Sequence, residues 1–372
     1  MSAAGDETPR RPPEPIPLSV LTGFLGAGKT TLLNKLLHDP ALAGTAVIIN
    51  EFGEVGLDHL LVEYISDNMV LLQSGCLCCT MRGDLVDALE KLLRDLDNGR
   101  VTFKRVLLET TGLADPAPVL HTLMTHPYLL MRYRLDGVIT VVDAVNGSAT
   151  LDAHPEAVKQ AAVADRIVLT KTDLATSEQA DDLRARLASL NPAAPVVDAF
   201  EGEAKPDKLF GCGLYDPDKK SADVKRWLKE EAYAQHAHHD AHHHDSNRHD
   251  DHIRSFVLTA DRPIPGGTLD MFFELVRANY GDRLLRMKGI VQLAETPETP
   301  LVVHAVQHVF HPPARLPQWP DADGRTRIVF IARDLPERTI RDLFEAFLGA
   351  LAPDRPDRAA LTDNPLVPFG GR

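Results

Sequence analysis

Gly23-Phe-Leu-Gly-Ala-Gly-Lys-Thr-Thr31 is the stretch that decides the fold of this chain. It fills the pattern Gly-x-x-x-x-Gly-Lys-Thr, whose glycines let successive backbone N–H groups point at phosphate oxygens. An apolar run over 17–22 precedes it and a helical pattern over 32–37 follows it, which is the context that the motif requires. The alternative, a glycine-rich turn without a ligand, fits these flanks less well. We therefore predict that nucleotide phosphates bind at Gly23, Gly26, Gly28, Lys29, Thr30 and Thr31.

Apolar runs of strand length recur through the first part of the chain, at 45–49, 69–72, 105–108, 137–142, 167–169 and 195–197. Helical patterns separate most of them, such as the leucines at 85, 89, 92, 93 and 96. Continuously apolar strands that alternate with amphipathic helices predict an α/β domain with a mostly parallel sheet, covered on both faces. Farther along, strand-like runs arrive in succession, so a smaller α+β domain is expected there.

The predicted domain organisation follows from these patterns and from shifts in composition. It comprises a disordered arm over 1–14, a P-loop domain over 15–215, a His-rich linker over 216–252, an α+β domain over 253–350 and a flexible tail over 351–372. The linker is assigned because its residues are mainly Asp, Lys, His and Ala and show almost no apolar period.

The composition of the 372 residues argues against several classes of protein. Lys and Arg number 40 against 53 Asp and Glu, and the resulting net charge of −13 argues against binding to nucleic acid. No apolar run approaches the roughly 20 residues that span a bilayer, so no membrane partner is expected. The start of the chain is polar and rich in proline, without the apolar stretch of a secretory signal, which predicts a cytoplasmic protein.

A sensor for the γ-phosphate is predicted in Leu107-Leu-Glu-Thr-Thr-Gly112. This segment ends an apolar strand with an acid and a glycine, so Glu109 can hold Mg²⁺ through water and the N–H of Gly112 can meet the γ-phosphate. In the phosphate loop, Lys29 should reach the β- and γ-phosphates and the Thr30 hydroxyl should bind Mg²⁺. Lys29, Thr30 and Glu109 are thus the catalytic candidates. A solvated strand end is the alternative, and the P-loop favours the functional interpretation.

The nucleobase is predicted to lie against Leu169-Thr-Lys-Thr-Asp173, which also follows a strand. Asp173 can accept two hydrogen bonds from the amide and amino groups of guanine, and the stem of Lys171 can cover the ring. A Lys-x-Asp by itself is more typical of a helix N-cap, but its position downstream of the P-loop favours GTP. Thr170 stands where guanine-binding loops usually carry Asn, which weakens the case for strict preference over ATP.

Three of the four cysteines crowd into Cys76-Leu-Cys-Cys79, after an apolar strand and a glycine. Thiolates favour zinc or a similar ion such as cobalt or nickel, and a closed zinc site has four ligands. Cys76, Cys78 and Cys79 are the predicted metal ligands. Water, a ligand from a client protein or an acid from the loop over 50–58 can fill the fourth position, and among the acids Glu54 is our choice. A redox pair or small buried residues are the alternatives.

Eight of the sixteen histidines lie between His236 and His252, a density that no helix or strand period explains. Histidine-rich tracts commonly bind metal. Weak auxiliary capture is therefore predicted at His236, His238, His239, His242, His243 and His244. The plain alternative, a solvated flexible linker, is compatible with this role. The histidines at 304, 308 and 311 are interpreted as ordinary strand and turn residues.

Five motifs in this order resemble those of the CobW-like P-loop GTPases of metal homeostasis. They are GFLGAGKTT at 23–31, NEFGEVG at 50–56, GCLCC at 75–79, ETTGLADP at 109–116 and TKTD at 170–173. RPIP at 262–265, LLRMKG at 284–289 and QHVFHPP at 307–313 extend the resemblance over roughly residues 17–350. The family implies a GTPase domain and a smaller C-terminal domain, slow Mg²⁺-dependent GTP hydrolysis that responds to zinc or related ions, and a role as a metallochaperone or metal-insertion factor.

By this resemblance, Gly23, Gly28, Lys29 and Thr30 form the phosphate and Mg²⁺ site, Glu109 and Gly112 the sensor, Lys171 and Asp173 the base contacts, and Cys76, Cys78 and Cys79 the metal site. Some relatives carry an additional acid at the position of Ile49, so an auxiliary metal site built on that acid is in doubt here.

The expected function is coupling of GTP binding and hydrolysis to delivery of a transition metal, preferably zinc, to a client metalloprotein. A non-catalytic metal reservoir or sensor is the alternative from another class. A small-molecule kinase would leave the thiols and histidines unexplained. The sequence leaves the metal, the client and the oligomeric state open.

Overall fold

The computed structural model describes residues 14–49, 81–200, 202–212, 252–320 and 322–349. Its N-terminal sheet contains β1 (Ile16–Gly23), β2 (Thr45–Ile49), β3 (Arg105–Glu109), β4 (Tyr133–Asp143), β5 (Arg166–Thr170) and β6 (Val196–Asp198). All neighbours in this sheet are parallel, in the order β2-β3-β1-β4-β5-β6. The predicted α/β architecture is confirmed.

Helices pack on both faces of this sheet. They are α1 (Lys29–Leu37), α2 (Met81–Asp97), α3 (Ala117–Thr125), α4 (Pro127–Arg132), α5 (Gly147–Ala153), α6 (Pro155–Ala162), α7 (Ser177–Leu190) and α8 (Pro206–Leu209). Successive strand residues point to opposite faces, and Val20 and Leu21 of β1 belong to different core clusters. Leu89 of α2 packs with the first cluster and Leu33 of α1 with the second, so both faces of the sheet are buried.

The observed element boundaries differ from the predicted ones in instructive places. The first helix begins at Lys29, directly after the phosphate loop and three residues before the helical pattern over 32–37. The fourth strand begins at Tyr133 rather than at residue 137, because its polar residue Asp136 is buried and accepts hydrogen bonds from Ser19 and Arg105. The predicted strand over 69–72 lies outside the described residues.

The C-terminal domain is built on an antiparallel sheet. Its elements are β7 (Ile253–Ala260), α9 (Gly266–Tyr280), β8 (Leu284–Val291), β9 (Leu301–Val306), β10 (Val309–Phe310), β11 (Ala314–Arg315), β12 (Thr326–Arg333) and α10 (Glu337–Phe347). The strand order is β10-β9-β8-β12-β7, with β11 paired to β9. Phe272 of α9 and Phe344 of α10 pack with Phe256 and Phe330 of the sheet in one core, as expected for a smaller α+β domain.

The opposite face of this sheet packs against the N-terminal domain. Leu285 and Ile331 join the core cluster around α6 and α7. Arg286 and Lys288 of β8 both contact the buried carboxylate of Asp165, with Arg286 Nη2 2.6 Å from Asp165 Oδ1 and Lys288 Nζ on the same oxygen. Apolar packing and a buried ion cluster therefore join the two domains.

The histidines of the C-terminal sheet lie near this interface. His304 is buried, and its pKa lies well below the ordinary value because of burial and of the nearby charges of Arg286 and Lys288. His308 is exposed, and its ring lies edge-on to that of His121 on α3, with 4.8 Å between centroids. Within the described residues, no group of three or more His, Cys, Asp or Glu side chains is arranged to hold a metal. In the same part of the chain, no helix is both long enough and apolar enough to cross a membrane.

Candidate nucleotide site

The phosphate loop connects β1 to α1, and its glycines determine its shape. Gly23 has a φ of 140°, and a Cβ at this position would lie 2.3 Å from the carbonyl oxygen of Val141 on β4. No side chain caps the N-terminus of α1 in the described part of the chain. The first N–H groups of the helix are therefore available to an anion, as a phosphate site requires.

Lys29, Thr30 and Glu109 lie together at the carboxyl edge of the sheet. The Thr30 hydroxyl donates to Glu109 Oε1 at 3.0 Å, because β1 and β3 are parallel neighbours that end at the same edge. Lys29 is buried, and its Nζ donates to the carbonyl of Phe24 at 3.2 Å. Hydroxyl and carboxylate oxygens are ligands that Mg²⁺ prefers. The Thr30–Glu109 pair therefore fits the predicted Mg²⁺ position.

The segment after β3 lies directly against the phosphate loop. The N–H of Thr110 donates to the carbonyl of Leu21 at 2.9 Å, and its hydroxyl donates to Thr22 Oγ1 at 2.8 Å. A Cβ at Gly112 would lie 2.7 Å from the backbone nitrogen of Leu25. Only glycine permits this close approach, so the predicted sensor and the phosphate loop are neighbours.

Thr170, the last residue of β5, forms a hydrogen bond to the phosphate loop. Its hydroxyl donates to the carbonyl of Ala27 at 2.6 Å. The structure thus gives a role in shaping the phosphate loop to the residue that replaces the usual Asn of guanine-binding loops.

Lys171 follows in a left-handed backbone conformation with a φ of 57°. Its ammonium group lies 2.7 Å from Asp143 Oδ2, at the end of β4. Burial raises the pKa of the Asp143 carboxyl, but hydrogen bonds from Lys171 and Asn146 outweigh it, so the pKa lies below its ordinary value. Asp143 is therefore a charged partner that orients the predicted base-binding lysine.

Asp173 is exposed at the same edge of the sheet and is therefore accessible to a ligand. Asp198, at the end of β6, accepts hydrogen bonds from the hydroxyl of Thr172 and from the N–H of Phe200, both at 2.8 Å. The buried carboxylate of Asp198 thus connects the Asp173 loop to the Phe200 loop. Leu174 and Phe200 are 70% and 68% exposed, so two apolar side chains flank this region.

A cavity of about 210 Å³ adjoins the phosphate loop. Its walls include Phe24, Gly26, Asp143, Gln160 and Lys171. This volume is below the roughly 300–1,000 Å³ of typical small-molecule pockets, so the cavity can enclose only part of a nucleotide.

The structure brings the predicted phosphate, Mg²⁺ and base residues to one edge of the N-terminal sheet. The predicted metal ligands Glu54, Cys76, Cys78 and Cys79 lie outside the described residues, as does the tract from His236 to His244. That metal site stays a prediction.

Sequence analysis missed two residues of the nucleotide edge, Asp143 and Gln160. Asp143 ends an apolar strand just as Glu109 does, and this shared pattern could have revealed it. Gln160 lies within an ordinary amphipathic helix and carries no such signal.

A glycine-shaped loop between a strand and a helix, with a Thr–Glu pair across neighbouring parallel strands, defines a P-loop nucleotide-binding protein. Comparison with known families identifies the group. Residues 17–198 match the CobW/HypB/UreG nucleotide-binding domain, and residues 253–348 match the cobalamin synthesis protein cobW C-terminal domain. The chain belongs to the CobW family of GTPases, as the sequence motifs indicated.

Relatives cover nearly the whole chain. The zinc chaperone YjiA of Escherichia coli is 36% identical over 330 residues, which cover 89% of this chain and 98% of that protein. The zinc chaperone CobW of Pseudomonas aeruginosa is 31% identical over 366 residues, which cover 90% and 92% of the two chains. The crystal structure of Zn(II)-bound YjiA GTPase from E. coli matches with a TM-score of 0.65 and 31% identity, over 90% of this chain and 99% of that one.

Proposed function

We propose that this protein is a Mg²⁺-dependent GTPase that couples GTP binding and hydrolysis to delivery of a transition metal, preferably zinc, to a client metalloprotein. The observation that carries the proposal is the 3.0 Å contact between Thr30 and Glu109 beside the phosphate loop. It joins the two side chains that a Mg²⁺–triphosphate complex needs, in a chain whose two relatives described above are named zinc chaperones.

The phosphate loop and its neighbours would bind and orient the triphosphate. Backbone N–H groups and Lys29 offer positive potential to the phosphates, while Thr30 and Glu109 would hold Mg²⁺. When bound, that ion neutralises charge on the β- and γ-phosphate oxygens. Gly112 can donate its N–H to the γ-phosphate, which only the triphosphate carries. Contact at Gly112 would therefore distinguish GTP from GDP.

The base-binding loop supports guanine as the nucleobase. Asp173 is exposed and can accept hydrogen bonds from the amide and amino groups of guanine. Asp143 holds Lys171 at 2.7 Å, so the aliphatic stem of the lysine is already ordered beside the cavity. Competition between GTP and ATP for the purified protein measures this preference directly.

The metal is the cargo in this proposal, with Cys76, Cys78 and Cys79 as its ligands. Helix α2 begins at Met81, directly after the thiol segment, and leads into β3. A helix that precedes a parallel strand starts at the carboxyl edge of the sheet. This topology supports a position of the thiols on the same edge as the phosphate loop, where metal and nucleotide can influence each other.

Zinc titration of the full chain, with and without a non-hydrolysable GTP analogue, tests the coupling. We expect the analogue to change the zinc affinity by about fivefold or more, and zinc to change the analogue affinity by the same factor, because linkage is reciprocal. A Cys78→Ser variant is expected to lose the high-affinity zinc site and keep nucleotide binding. Unchanged zinc affinity with the analogue would contradict coupled delivery and favour a metal reservoir.

Hydrolysis requires a separate measurement, the release of inorganic phosphate from GTP in the presence of Mg²⁺. A protein that binds GTP and zinc but releases no phosphate, with or without zinc, would not be a GTPase. Deletion of residues 236–252 is expected to leave turnover and the high-affinity zinc site intact. Loss of zinc binding on that deletion would move the cargo site to the histidine tract.

A further inference from the structure

Helix α6 (Pro155–Ala162) contacts the γ-phosphate sensor through the amide of Gln160. The Nε2 atom of Gln160 donates to the carbonyl of Gly112 at 3.2 Å and to that of Ala114 at 3.0 Å. The side chain is fully buried. Lys159, the preceding residue, forms a second link to this segment, with its Nζ 2.8 Å from Asp115 Oδ2. Two successive side chains of α6 therefore hold the loop between β3 and α3.

The two carbonyl oxygens fix the orientation of the Gln160 amide. Rotation of the amide by 180° would place its oxygen against both carbonyls, which repel it. In the present orientation Oε1 is buried and has no hydrogen-bond partner within the described residues. A buried unpaired acceptor is unfavourable. Within the described residues, the side-chain amide of Gln160 is therefore held by its two donor hydrogen bonds to the sensor.

The other end of the same helix is held by the C-terminal domain. Arg286 Nη1 donates to the carbonyl of Val163, the C-cap residue that follows the last residue of α6. Asp165 lies two positions further on and binds both Arg286 and Lys288. It is also fixed to its own sheet, because the N–H of Val138 donates to Asp165 Oδ2 at 2.9 Å. Helix α6 thus connects the sensor to β8 over a short, continuous path.

We propose that Gln160 is a positioning residue for the γ-phosphate sensor, and that α6 communicates the state of that sensor to β8 of the C-terminal domain. The proposal rests on the GTPase function argued above. Glycine has more backbone freedom than any other residue, so Gly112 needs an external restraint to present its N–H in one direction. The bond from Gln160 to the Gly112 carbonyl supplies that restraint, and movement of Gly112 towards a γ-phosphate would act on α6.

The first test compares affinities for GTP and GDP analogues in Gln160→Met, which keeps the length of the side chain and removes both donors. We expect affinity for the β,γ-imido analogue of GTP to fall about tenfold and affinity for GDP to stay unchanged, because only the triphosphate meets Gly112. Asn191→Leu is the matched control. Asn191 bonds to the carbonyls of Ala161, Ala162 and Ala164 at the end of α6, without contact to the sensor.

The control variant should keep the wild-type ratio of the two affinities, whatever it does to stability. An equal change of both affinities in Gln160→Met, or no change of either, overturns the positioning role. Failure of the wild-type protein to bind either nucleotide instead overturns the GTPase proposal itself, so the two failures are distinguishable.

The second test is amide hydrogen exchange on the full wild-type chain, which stays decisive even if Gln160→Met does not fold. We expect the exchange rates of residues 284–291 and of α6 to differ between the GDP-bound and GTP-analogue-bound states. In a folded Gln160→Met variant, the difference at β8 should vanish. Equal protection of β8 in both nucleotide states of the wild type overturns the proposed communication.

Discussion

Two of the places where the protein buries charge are built in opposite ways. At the phosphate loop, Lys29 contacts a carbonyl oxygen and Glu109 contacts a hydroxyl, which are contacts that a phosphate and a cation can take over. At the domain interface, Asp165 is enclosed by the side chains of Arg286 and Lys288. Buried charge therefore indicates binding where its contacts are exchangeable, and architecture where the charges satisfy one another.

Removal of the interface carboxylate should have the largest effect on stability. Asp165→Asn would leave two buried cations without a counter-charge, and we expect the free energy of unfolding to fall by about 3–5 kcal/mol in urea denaturation. Asp342→Asn is the control, because it removes an exposed carboxylate 3.3 Å from Arg338 and should leave the midpoint nearly unchanged. Equal losses in the two variants would contradict an architectural role for Asp165.

Lys29→Ala should lower activity strongly and leave stability nearly unchanged. Loss of one charge that stabilises the transferring phosphoryl group typically lowers turnover by about 100- to 1,000-fold, and we expect that loss in phosphate release from GTP. The free energy of unfolding should change by less than about 1 kcal/mol. Lys35→Ala, on an exposed position of the same helix, is the control and should keep full activity. A large loss of stability in Lys29→Ala would show that the charge of Lys29 also has an architectural role, which would contradict the contrast with Asp165.

The stability of the domain interface should depend on pH through the titration of Lys288. Burial, and then the charge of Arg286, lower the pKa of Lys288 to about 8, against the attraction of Asp165. The unfolded chain binds this proton up to about pH 10.5, so wild type should gain stability relative to Lys288→Met as pH rises above 8. The gain is about 2 kcal/mol by pH 9.5.

Cys212 is a second titrating group, and the comparison of wild type with Lys288→Met controls for it. Burial raises the pKa of Cys212 to about 12, and so destabilises the native state above the ordinary pKa of a thiol. Loss of the Lys288 charge would raise the pKa of this thiol further, so the thiol stays protonated in both native states up to pH 9.5 and its contribution cancels in their difference. A difference that is flat between pH 7 and 9.5 would show that Lys288 titrates as it does in the unfolded chain.

Thr170→Val should have the smallest effect, since it removes one hydroxyl donor, which contacts the carbonyls of Ala27 at 2.6 Å and of Val142 at 3.3 Å. We expect affinities for GTP and GDP to fall together by about fivefold, with no change in the preference for guanine over adenine. Equilibrium binding of the four nucleotides GTP, GDP, ATP and ADP measures both quantities. Selective loss of guanine binding would instead place Thr170 in base recognition.

The sequence predicts the nucleotide edge well, because its determinants are local. Gly23 to Thr31 fill the phosphate-loop motif in consecutive positions, and the strand that ends at Glu109 is largely apolar and buried. The domain interface was not predictable in this way. Asp165 and its partner Arg286 are 121 positions apart, and each resembles an ordinary surface residue in the sequence. Gln160 is a similar case, because its partners Gly112 and Ala114 become neighbours only through the sheet order.

The left-handed backbone of Lys171 has a consequence for the speed and strength of nucleotide capture. A non-glycine residue in this conformation is uncommon, and the ion pair with Asp143 holds it in place before any ligand arrives. A loop that is already bent loses little conformational freedom when the base enters, so more of the contact energy is retained as affinity. The entropy of ordering this loop is therefore lost during folding, and under the proposed GTPase function the base would enter a preorganised pocket.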